Sequence, residues 1–386
     1  MVFSEWYSPR WSILYGRRRF VIRPSIDVLE AAELLRTGNL VVFPTETVYG
    51  LGARVDLDEA VAEVYAVKGR PKGNPLIVHV DSLEMAERYG FFGEAERALF
   101  AEFAPGPLTV VVPLHPGALS ALVTAGGETV AIRIPDSEIA LELIRHVGVG
   151  LAAPSANRSS RPSPTDAVRA IEEVGERVSA VLDGGACRVG IESTVVQIRN
   201  GVPVILRPGD ITCDEIVRVI NRDQGDDAGI SSGTNERVPD GESAQTSAGS
   251  PGTRYRHYAP EIPVRVIERR HVSVSDARTG TVESAGEVSG KTRQVDAPAV
   301  QPGVVLVYVS GAAHDDGELF DDLAAEVLQA GGNVVRFQTY EALSVEFYRL
   351  LSSWERSASE IWIAVPPDDQ RYAALRDRLF RAAGVM

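Results

Sequence analysis

The sequence predicts an α/β protein of two domains joined by a polar segment. The chain has 386 residues, more than one ordinary hydrophobic core accommodates, and 44% of them are hydrophobic. From about Ser25 to Ile220, and again from Ile262 onward, helical and strand patterns alternate. Between these two regions, residues 221–249 are rich in Gly, Ser and Asp and have no hydrophobic periodicity, which is typical of a flexible linker.

The first domain is expected to contain a mixed, twisted sheet. A helix over Ser25–Arg36 ends at Gly38-Asn39, and the predicted strands follow at Leu40–Phe43, Leu76–Val80, Leu108–Pro113, Thr129–Ile134, Gly150–Ala153, Ala180–Leu182, Thr194–Ile198 and Val202–Leu206. Asn200-Gly201 indicates a two-residue hairpin. Thr212 to Glu215 forms a capping-box pattern that opens a short helix ending at Ile220. Because hairpins and helical crossovers both occur, parallel and antiparallel pairs should coexist.

The second, smaller domain is expected to be Rossmann-like. Its predicted strands and helices alternate, at Val264–Ile267, Val304–Val309, Glu318–Ala330, Val334–Phe337, Ser344–Arg356, Ile361–Val365 and Gln370–Ala382, with a polar insertion at Ser273–Ala299. No GxGxxG follows these strands, so no dinucleotide site is predicted. We therefore divide the chain into residues 1–220 (with 1–24 as an N-terminal extension), a linker at 221–260 ending in SPGTRYRHYAP, and residues 261–386.

Composition argues against several functional classes. The formal net charge of −14 disfavours an extended nucleic-acid-binding face but is compatible with a local basic pocket. No window approaches the ~18 consecutive apolar residues of a membrane span, and the N-terminal residues lack the apolar block of a signal peptide. Cys187 and Cys213 have neither CxxC spacing nor histidine partners, so no metal site or disulfide framework is predicted. We expect a cytoplasmic protein without membrane binding or stable nucleic-acid binding.

The segment from Val41 to Asn74 carries the strongest functional signal. A buried strand ends at Pro44, a Thr/Glu/Thr loop with two glycines follows, and a helix then leads to KGRPKGN. The chain has only three lysines against 36 arginines, and Lys68 and Lys72 both lie here, on either side of Arg70. Compact ammonium groups suit contacts with phosphate oxygens. We interpret the segment as a polyphosphate cradle; a solvated basic loop is the alternative, and the spacing matches no P-loop.

A second loop, APSANRSSRPSPT at residues 153–165, follows a predicted strand and opens a helix, where anions are favoured. The alternative is that Ser163 or Thr165 only caps the helix. Weaker candidates stand at strand ends or in a buried strand: His79, Arg133, Ser193 and Arg207. The alternatives are a satisfied core histidine for His79, an exposed strand end for Arg133, an ordinary strand residue for Ser193 and a strand-edge turn for Arg207. No Ser-His-Asp order, catalytic carboxylate pair or cysteine nucleophile is evident. Scattered basic and hydroxyl groups suit substrate positioning better than covalent catalysis.

Six motifs occur in order along the chain: PTETVYGLGA, KGRPKGNPLIVHV, VAIRIPD, APSANRSSRPSPT, ESTVV and LRPG. Together they closely resemble the YrdC-like threonylcarbamoyl-AMP synthase family, and SPGTRYRHYAP with the C-terminal domain resembles its longer, two-domain version. The resemblance covers about Ser25 to Val365. It implies a YrdC-like sheet domain and a nucleotidyltransferase that converts L-threonine, bicarbonate (or CO2) and ATP into threonylcarbamoyl-adenylate and pyrophosphate, for threonylcarbamoyl-adenosine modification of tRNA.

The resemblance also implies roles for individual residues. Lys68 and Arg70 would be the catalytic cations facing ATP, with Lys72 or Asn74 assisting. The other ATP-binding residues would be Asn74, Thr129, Ser155, Asn157, Ser163, Arg207 and Tyr255. Threonine would be bound by Thr47, His79, Arg133, Ala153 and Ser193, and Arg133 would pair with its carboxylate. Arg254 and Tyr255 would form a lid.

The same resemblance implies the cofactors and partners. Mg²⁺ would arrive with ATP, held largely by phosphate and water, without protein metal ligands, and no organic cofactor is implied. A downstream tRNA threonylcarbamoyl transferase would take the product. Two positions depart from the family pattern, since Thr253 replaces the usual Met and Ser160 replaces the usual Gly after Ser159.

Two other functions compete with this interpretation. One is an RNA-binding or ribosome-associated protein that uses the same basic concavity, which the acidic balance disfavours. The other is a carbamoyl-transfer enzyme of the hydrogenase-maturation type. That type should carry zinc-finger cysteines and an acylphosphatase segment, and this sequence has neither.

Overall fold

The computed structural model describes residues 26–224, 259–267, 301–310 and 317–385. The chain divides into two compact units, one within residues 1–258 and the other within residues 259–386. No helix among the described residues is long and apolar enough to cross a membrane.

The first unit alternates helices and strands, as the sequence predicts. Its helices are α1 (Val28–Arg36), α2 (Asp58–Lys68), α3 (Leu83–Ala86), α4 (Glu94–Phe103), α5 (Ala121–Thr124), α6 (Glu138–Val147), α7 (Ala167–Val174) and α8 (Cys213–Gln224). Its strands are β1 (Val41–Phe43), β2 (Gly50–Arg54), β3 (Ile77–His79), β4 (Leu108–Pro113), β5 (Thr129–Arg133), β6 (Leu151–Ala152), β7 (Ala180–Val181), β8 (Thr194–Arg199) and β9 (Val202–Arg207).

These strands form one nine-stranded sheet in the order β7-β1-β2-β6-β3-β5-β4-β8-β9. Parallel pairs such as β3 with β5 and antiparallel pairs such as β4 with β5 occur side by side. The predicted mixed sheet is therefore confirmed. The hairpin at Asn200-Gly201 is present, with positive φ angles of 51° and 78° at its two residues.

Two local features differ from the sequence prediction. Strand β2 was expected to be loop, because Gly50 and Gly52 lower β propensity. A Cβ at Gly52 would lie 2.8 Å from the Phe43 ring, so the glycine allows β1 and β2 to pair closely. Helix α8 opens with the predicted capping box between Thr212 and Glu215 but continues to Gln224, four residues beyond the predicted end, because no Gly or Pro stops it before Gly225.

Alternation along the central strands separates two apolar layers. Val78, Val110 and Ile132 belong to the large core that also contains the helices. Their neighbours Ile77, Val111 and Ala131 form a second, smaller cluster made of strand residues. Because successive side chains point to opposite faces of a strand, His79, Thr109 and Arg133 share the face of the smaller cluster. Polar groups therefore collect on one face of the sheet.

The second unit contains a four-stranded parallel sheet in the order β10-β13-β11-β12. Its elements are β10 (Val264–Ile267), β11 (Val304–Val309), α9 (Gly317–Gln329), β12 (Asn333–Phe337), α10 (Tyr340–Trp354), β13 (Glu360–Ala364) and α11 (Ala373–Ala383). The predicted parallel sheet is confirmed. Helix α10 begins four residues before the predicted Ser344, because the Thr339 side chain accepts a hydrogen bond from Ala342 N and caps it.

Candidate active site

A polar pocket lies in the first unit where several elements end. Its volume is about 710 Å³, part of which is open to solvent. The lining brings together eight of the residues implied by the resemblance: Lys68, Arg70, His79, Arg133, Ala153, Ser155, Asn157 and Arg207. It also includes Thr45, Val48, Gly50, Ile77, Pro154, Ser159 and Glu192. Among the described residues, four basic side chains and one carboxylate line the pocket, so it suits an anionic ligand.

Lys68 joins the end of α2 to the loop at residues 153–165. Its Nζ donates hydrogen bonds to the backbone carbonyls of Ser155 and Asn157, and Ser159 N donates to the Lys68 carbonyl at 2.8 Å. The side chain is only 3% exposed, and burial, followed by the nearby Arg70 guanidinium, lowers the Lys68 pKa well below its usual value. The lysine is therefore preorganised within the pocket wall.

Arg70 and Asn74 form one turn beside this lysine. Arg70 Nε donates to the Asn74 carbonyl at 3.0 Å, and Arg70 Nη2 donates to the Pro75 carbonyl at 2.7 Å. The Asn74 side chain is fully buried and lies outside the pocket lining. Lys72 is exposed and also lies outside the lining, so the structure does not bring it together with Lys68 and Arg70. Of the three cations that the sequence assigns to the cradle, Lys68 and Arg70 line the pocket and Lys72 does not.

The loop at residues 153–165 is folded by its own polar side chains. Asn157 Nδ2 donates to the carbonyls of Arg158 and Arg161 at 2.9 and 2.8 Å. Ser163 Oγ donates to Glu192 Oε1 at 2.6 Å and lies behind the lining. The cap of α7 is Asp166, which accepts from Arg169 N at 2.8 Å. The alternative that Ser163 or Thr165 caps this helix is therefore wrong.

Arg133 is held by a buried ion pair. Its Nη2 lies 2.7 Å from Glu46 Oε1, and the two side chains are 4% and 0% exposed. Arg133 Nε donates to the Gly106 carbonyl at 3.3 Å, and Asp136 N donates to Glu46 Oε2 at 3.1 Å. Glu46 thus fixes the guanidinium from behind. Sequence reasoning missed this glutamate, although it stands in the PTETVYG motif.

Thr47 lies close to the pocket without lining it. Its hydroxyl is 2.9 Å from that of Thr45, which does line the pocket, and Thr45 Oγ1 donates to the Val48 carbonyl at 2.6 Å. Thr47 is fully buried. The Thr-Glu-Thr loop therefore contributes one direct lining residue and one supporting residue.

Ser193 contacts Arg207 and lies behind it. Arg207 Nε and Nη2 donate to the Ser193 carbonyl at 3.0 and 2.9 Å, and Nη2 also donates to Ser193 Oγ at 3.0 Å. Ser193 is fully buried, whereas Arg207 lines the pocket. Ser193, which the resemblance assigns to binding of the substrate threonine, thus supports Arg207, which the resemblance assigns to binding of ATP.

His79 is a neutral imidazole in the pocket lining. Burial, followed by the charge of Arg133, lowers its pKa to about 3. Among the described residues its Nδ1 has no hydrogen-bond partner, and its ring lies edge-on to Phe43 with centroids 6.0 Å apart. The sequence allowed an ordinary, satisfied core histidine. Its place in the pocket lining favours a ligand contact.

The remaining candidates lie elsewhere. Thr129 begins β5, at the opposite end from Arg133, so four residues of extended strand, roughly 13 Å, separate it from that arginine. The structure does not bring Thr129 into the pocket, and its assignment to ATP rests on the resemblance alone. Arg254 and Tyr255 lie outside the described residues. No group of three or more potential metal-ligating side chains occurs in the described part of the chain.

Comparison with known proteins identifies two consecutive family regions. The family described as "Telomere recombination" matches residues 33–209, and that described as "Threonylcarbamoyl-AMP synthase, C-terminal domain" matches residues 211–384. The threonylcarbamoyl-AMP synthase of Bacillus subtilis is 44% identical over 243 residues, which is 63% of this chain and 67% of that protein.

Longer matches extend over both units. The threonylcarbamoyl-AMP synthase of Pyrococcus abyssi is 34% identical over 356 residues, which is 92% of this chain and 93% of that protein. The crystal structure of P. abyssi Sua5 complexed with L-threonine superposes with a TM-score of 0.71 at 30% identity, over 93% of this chain and 94% of that one. The chain belongs to the threonylcarbamoyl-AMP synthase family.

Proposed function

We propose that this protein synthesises threonylcarbamoyl-AMP from L-threonine, bicarbonate or CO2, and ATP, releasing pyrophosphate. The observation that carries the proposal is the convergence of Lys68, Arg70, Arg133 and Arg207 on one pocket. Membership of the synthase family supports the same activity. The P. abyssi relative was crystallised with L-threonine, which supports threonine as the amino acid.

The reaction requires two anions to meet. The threonine amine adds to CO2, or to bicarbonate with loss of water, to give a carbamate. A carbamate oxygen then attacks the α-phosphorus of ATP, and the bond to the β,γ-pyrophosphate breaks. Holding both reactants in one pocket removes much of the entropic barrier. Fixed cations stabilise the charge that develops on the departing pyrophosphate.

We assign the cations to two subsites, as the family resemblance implies. Arg133 and His79 lie together at the ends of β3 and β5, and we assign them to threonine, with the guanidinium pairing with the carboxylate. Lys68, Arg70 and Arg207 are assigned to the nucleotide. His79 remains neutral near pH 7 because its pKa is about 3, so it can exchange hydrogen bonds with threonine without repelling the ammonium group.

The donor set fits a metal that arrives with the nucleotide. Of the described residues that line the pocket, only Glu192 carries a carboxylate, and it already accepts a hydrogen bond from Ser163. Mg²⁺ would therefore be held by phosphate oxygens and water, where it would offset triphosphate charge. The proposal extends to a cytoplasmic location and to a downstream tRNA threonylcarbamoyl transferase that accepts the adenylate.

The direct test incubates the purified chain with ATP, threonine and bicarbonate, omitting each in turn. Pyrophosphate and adenylate should form only when all three are present. Lys68→Ala and Arg70→Ala should each abolish this release, whereas Lys72→Ala, an exposed lysine outside the lining, should retain it. Full activity in both cradle variants would contradict the assignment. ATP-independent, salt-sensitive RNA binding would favour the RNA-binding alternative.

A further inference from the structure

We infer that Thr109 is a positioning residue for this reaction. It holds the hydroxyl of Ser193, and Ser193 in turn holds the guanidinium of Arg207 at the pocket. The inference rests on the proposed function, because it concerns the arginine assigned there to the nucleotide. Thr109 itself lies outside the lining and acts through the other two residues.

The three residues form a continuous chain of polar contacts across three neighbouring strands. Thr109 is on β4, Ser193 directly precedes β8, and Arg207 ends β9. Thr109 Oγ1 lies 2.7 Å from Ser193 Oγ, and Arg207 Nη2 donates to the same Ser193 oxygen at 3.0 Å. Thr109 and Ser193 are fully buried, and Arg207 is 6% exposed. The loss of one of these contacts should therefore be costly, because unpaired polar groups are expensive in a buried network.

Hydrogen-bond geometry explains why the threonine matters. Arg207 can only donate, so it occupies one acceptor position of Ser193 Oγ. A serine hydroxyl rotates among staggered positions, and the contact with Thr109 selects the one that faces Arg207. Without the Thr109 hydroxyl, Ser193 Oγ can turn away, and Arg207 Nη2 then loses this contact while its bond to the Ser193 carbonyl remains. Thr109 therefore contributes to the orientation of the guanidinium through the Ser193 hydroxyl, although it does not line the pocket itself.

The consequence falls on the nucleotide subsite. Ser193 holds the edge of the guanidinium formed by Nε and Nη2, which fixes the direction of its Nη1 group. Arg207 also contributes to the depressed pKa of His79, so its charge reaches the threonine subsite. A misplaced Arg207 should weaken nucleotide positioning more than threonine binding.

The test uses Thr109→Val, which keeps the shape of the side chain and removes the hydroxyl. We expect kcat/KM for ATP to fall about fivefold to tenfold, the effect of losing one buried hydrogen bond, with a smaller change for threonine. Thr109→Ser, which keeps the hydroxyl, should retain the wild-type kcat/KM. Thr124→Val makes the same change at another buried threonine, which neither lines the pocket nor contacts Ser193, and should leave these parameters unchanged.

A double-mutant cycle distinguishes positioning from stability. If Thr109 acts through Ser193, Thr109→Val should have no further effect on kcat/KM in a Ser193→Ala background. Equal effects in both backgrounds, or wild-type kinetics in Thr109→Val, would overturn the inference while leaving the proposed function intact. If the wild-type chain shows no threonine-dependent pyrophosphate release, the proposed function fails. The inference is then tested by calorimetric ATP binding, where unchanged affinity in Thr109→Val would refute it.

Discussion

Replacing Glu46 by glutamine should destabilise the first unit far more than the same change at an exposed ion pair. Glu46 Oε1 lies 2.7 Å from Arg133 Nη2, with the side chains 0% and 4% exposed. Glutamine keeps the shape of the side chain but leaves the Arg133 charge buried without its counter-ion. Breaking a pair in this way costs about 3–5 kcal/mol.

The chain contains a matched control. Glu102 Oε2 lies 2.8 Å from Arg222 Nη2, but these side chains are 46% and 67% exposed. Glu102→Gln should therefore lower the free energy of unfolding by less than about 1 kcal/mol. The distance between the charged atoms is nearly the same in the two pairs, so the expected difference comes mainly from burial, to which the bond from Asp136 N to Glu46 adds.

The assay must report on residues 26–224. All four tryptophans, at positions 6, 11, 354 and 362, lie outside this range, so a probe within the range is needed. Urea unfolding should be monitored by hydrogen exchange of peptides from this range, alongside far-UV circular dichroism. If the Glu46 variant loses no more stability than the Glu102 variant, the Glu46–Arg133 pair does not hold the site together as argued.

Three further predictions concern stability. The pKa of His79 is about 3 in the folded chain, so protonation favours the unfolded chain. The stabilising contribution of neutral His79 is complete above about pH 6.5 and is lost towards about pH 3. In urea unfolding, the advantage of the wild type over His79→Asn should therefore shrink by roughly 2 kcal/mol between about pH 7.5 and about pH 5. Ser160 has a φ of 75°, so Ser160→Gly should raise the free energy of unfolding by about 0.5–1 kcal/mol, and Ser159→Gly should lower it; a destabilised Ser160→Gly would argue against backbone strain. A Cβ at Gly209 would overlap the backbone of Ser193 and Thr194, so Gly209→Ala should lower both the melting temperature and the activity. A Cβ added at Gly73 would meet nothing within 4 Å, so Gly73→Ala should match the wild type. Equal melting temperatures for the two variants would refute the close approach at Gly209.

Local signals in the sequence predicted much of the fold. The strand and helix alternation, the Asn-Gly hairpin and the capping box at Thr212 depend on neighbouring residues and were found where expected. Strand β2 was missed because its glycines suggest a loop, and the reason for them is the Phe43 ring of the neighbouring strand β1, which the local sequence does not reveal. Ser160 was noted only as a departure from the family pattern. The structure supplies the reason, a backbone conformation that glycine adopts more readily.

The sequence could identify many residues of the site, but not the residues that hold them in place. Lys68, Arg133 and Arg207 stand at the ends of elements within distinctive motifs, so the sequence could mark them. Their supports come from distant positions: Arg133 pairs with Glu46 across 87 residues, and Thr109 meets Ser193 across 84. Such contacts depend on strand order and register, which composition and periodicity do not specify.

A crystal structure of the chain with L-threonine and a non-hydrolysable ATP analogue tests the central claim most directly. The threonine carboxylate should lie about 3 Å from the Arg133 guanidinium. The phosphates of the analogue should lie among Lys68, Arg70 and Arg207, with its α-phosphate next to the threonine amine. Density for either ligand in a different part of the protein would contradict the claim that one pocket brings the two substrates together.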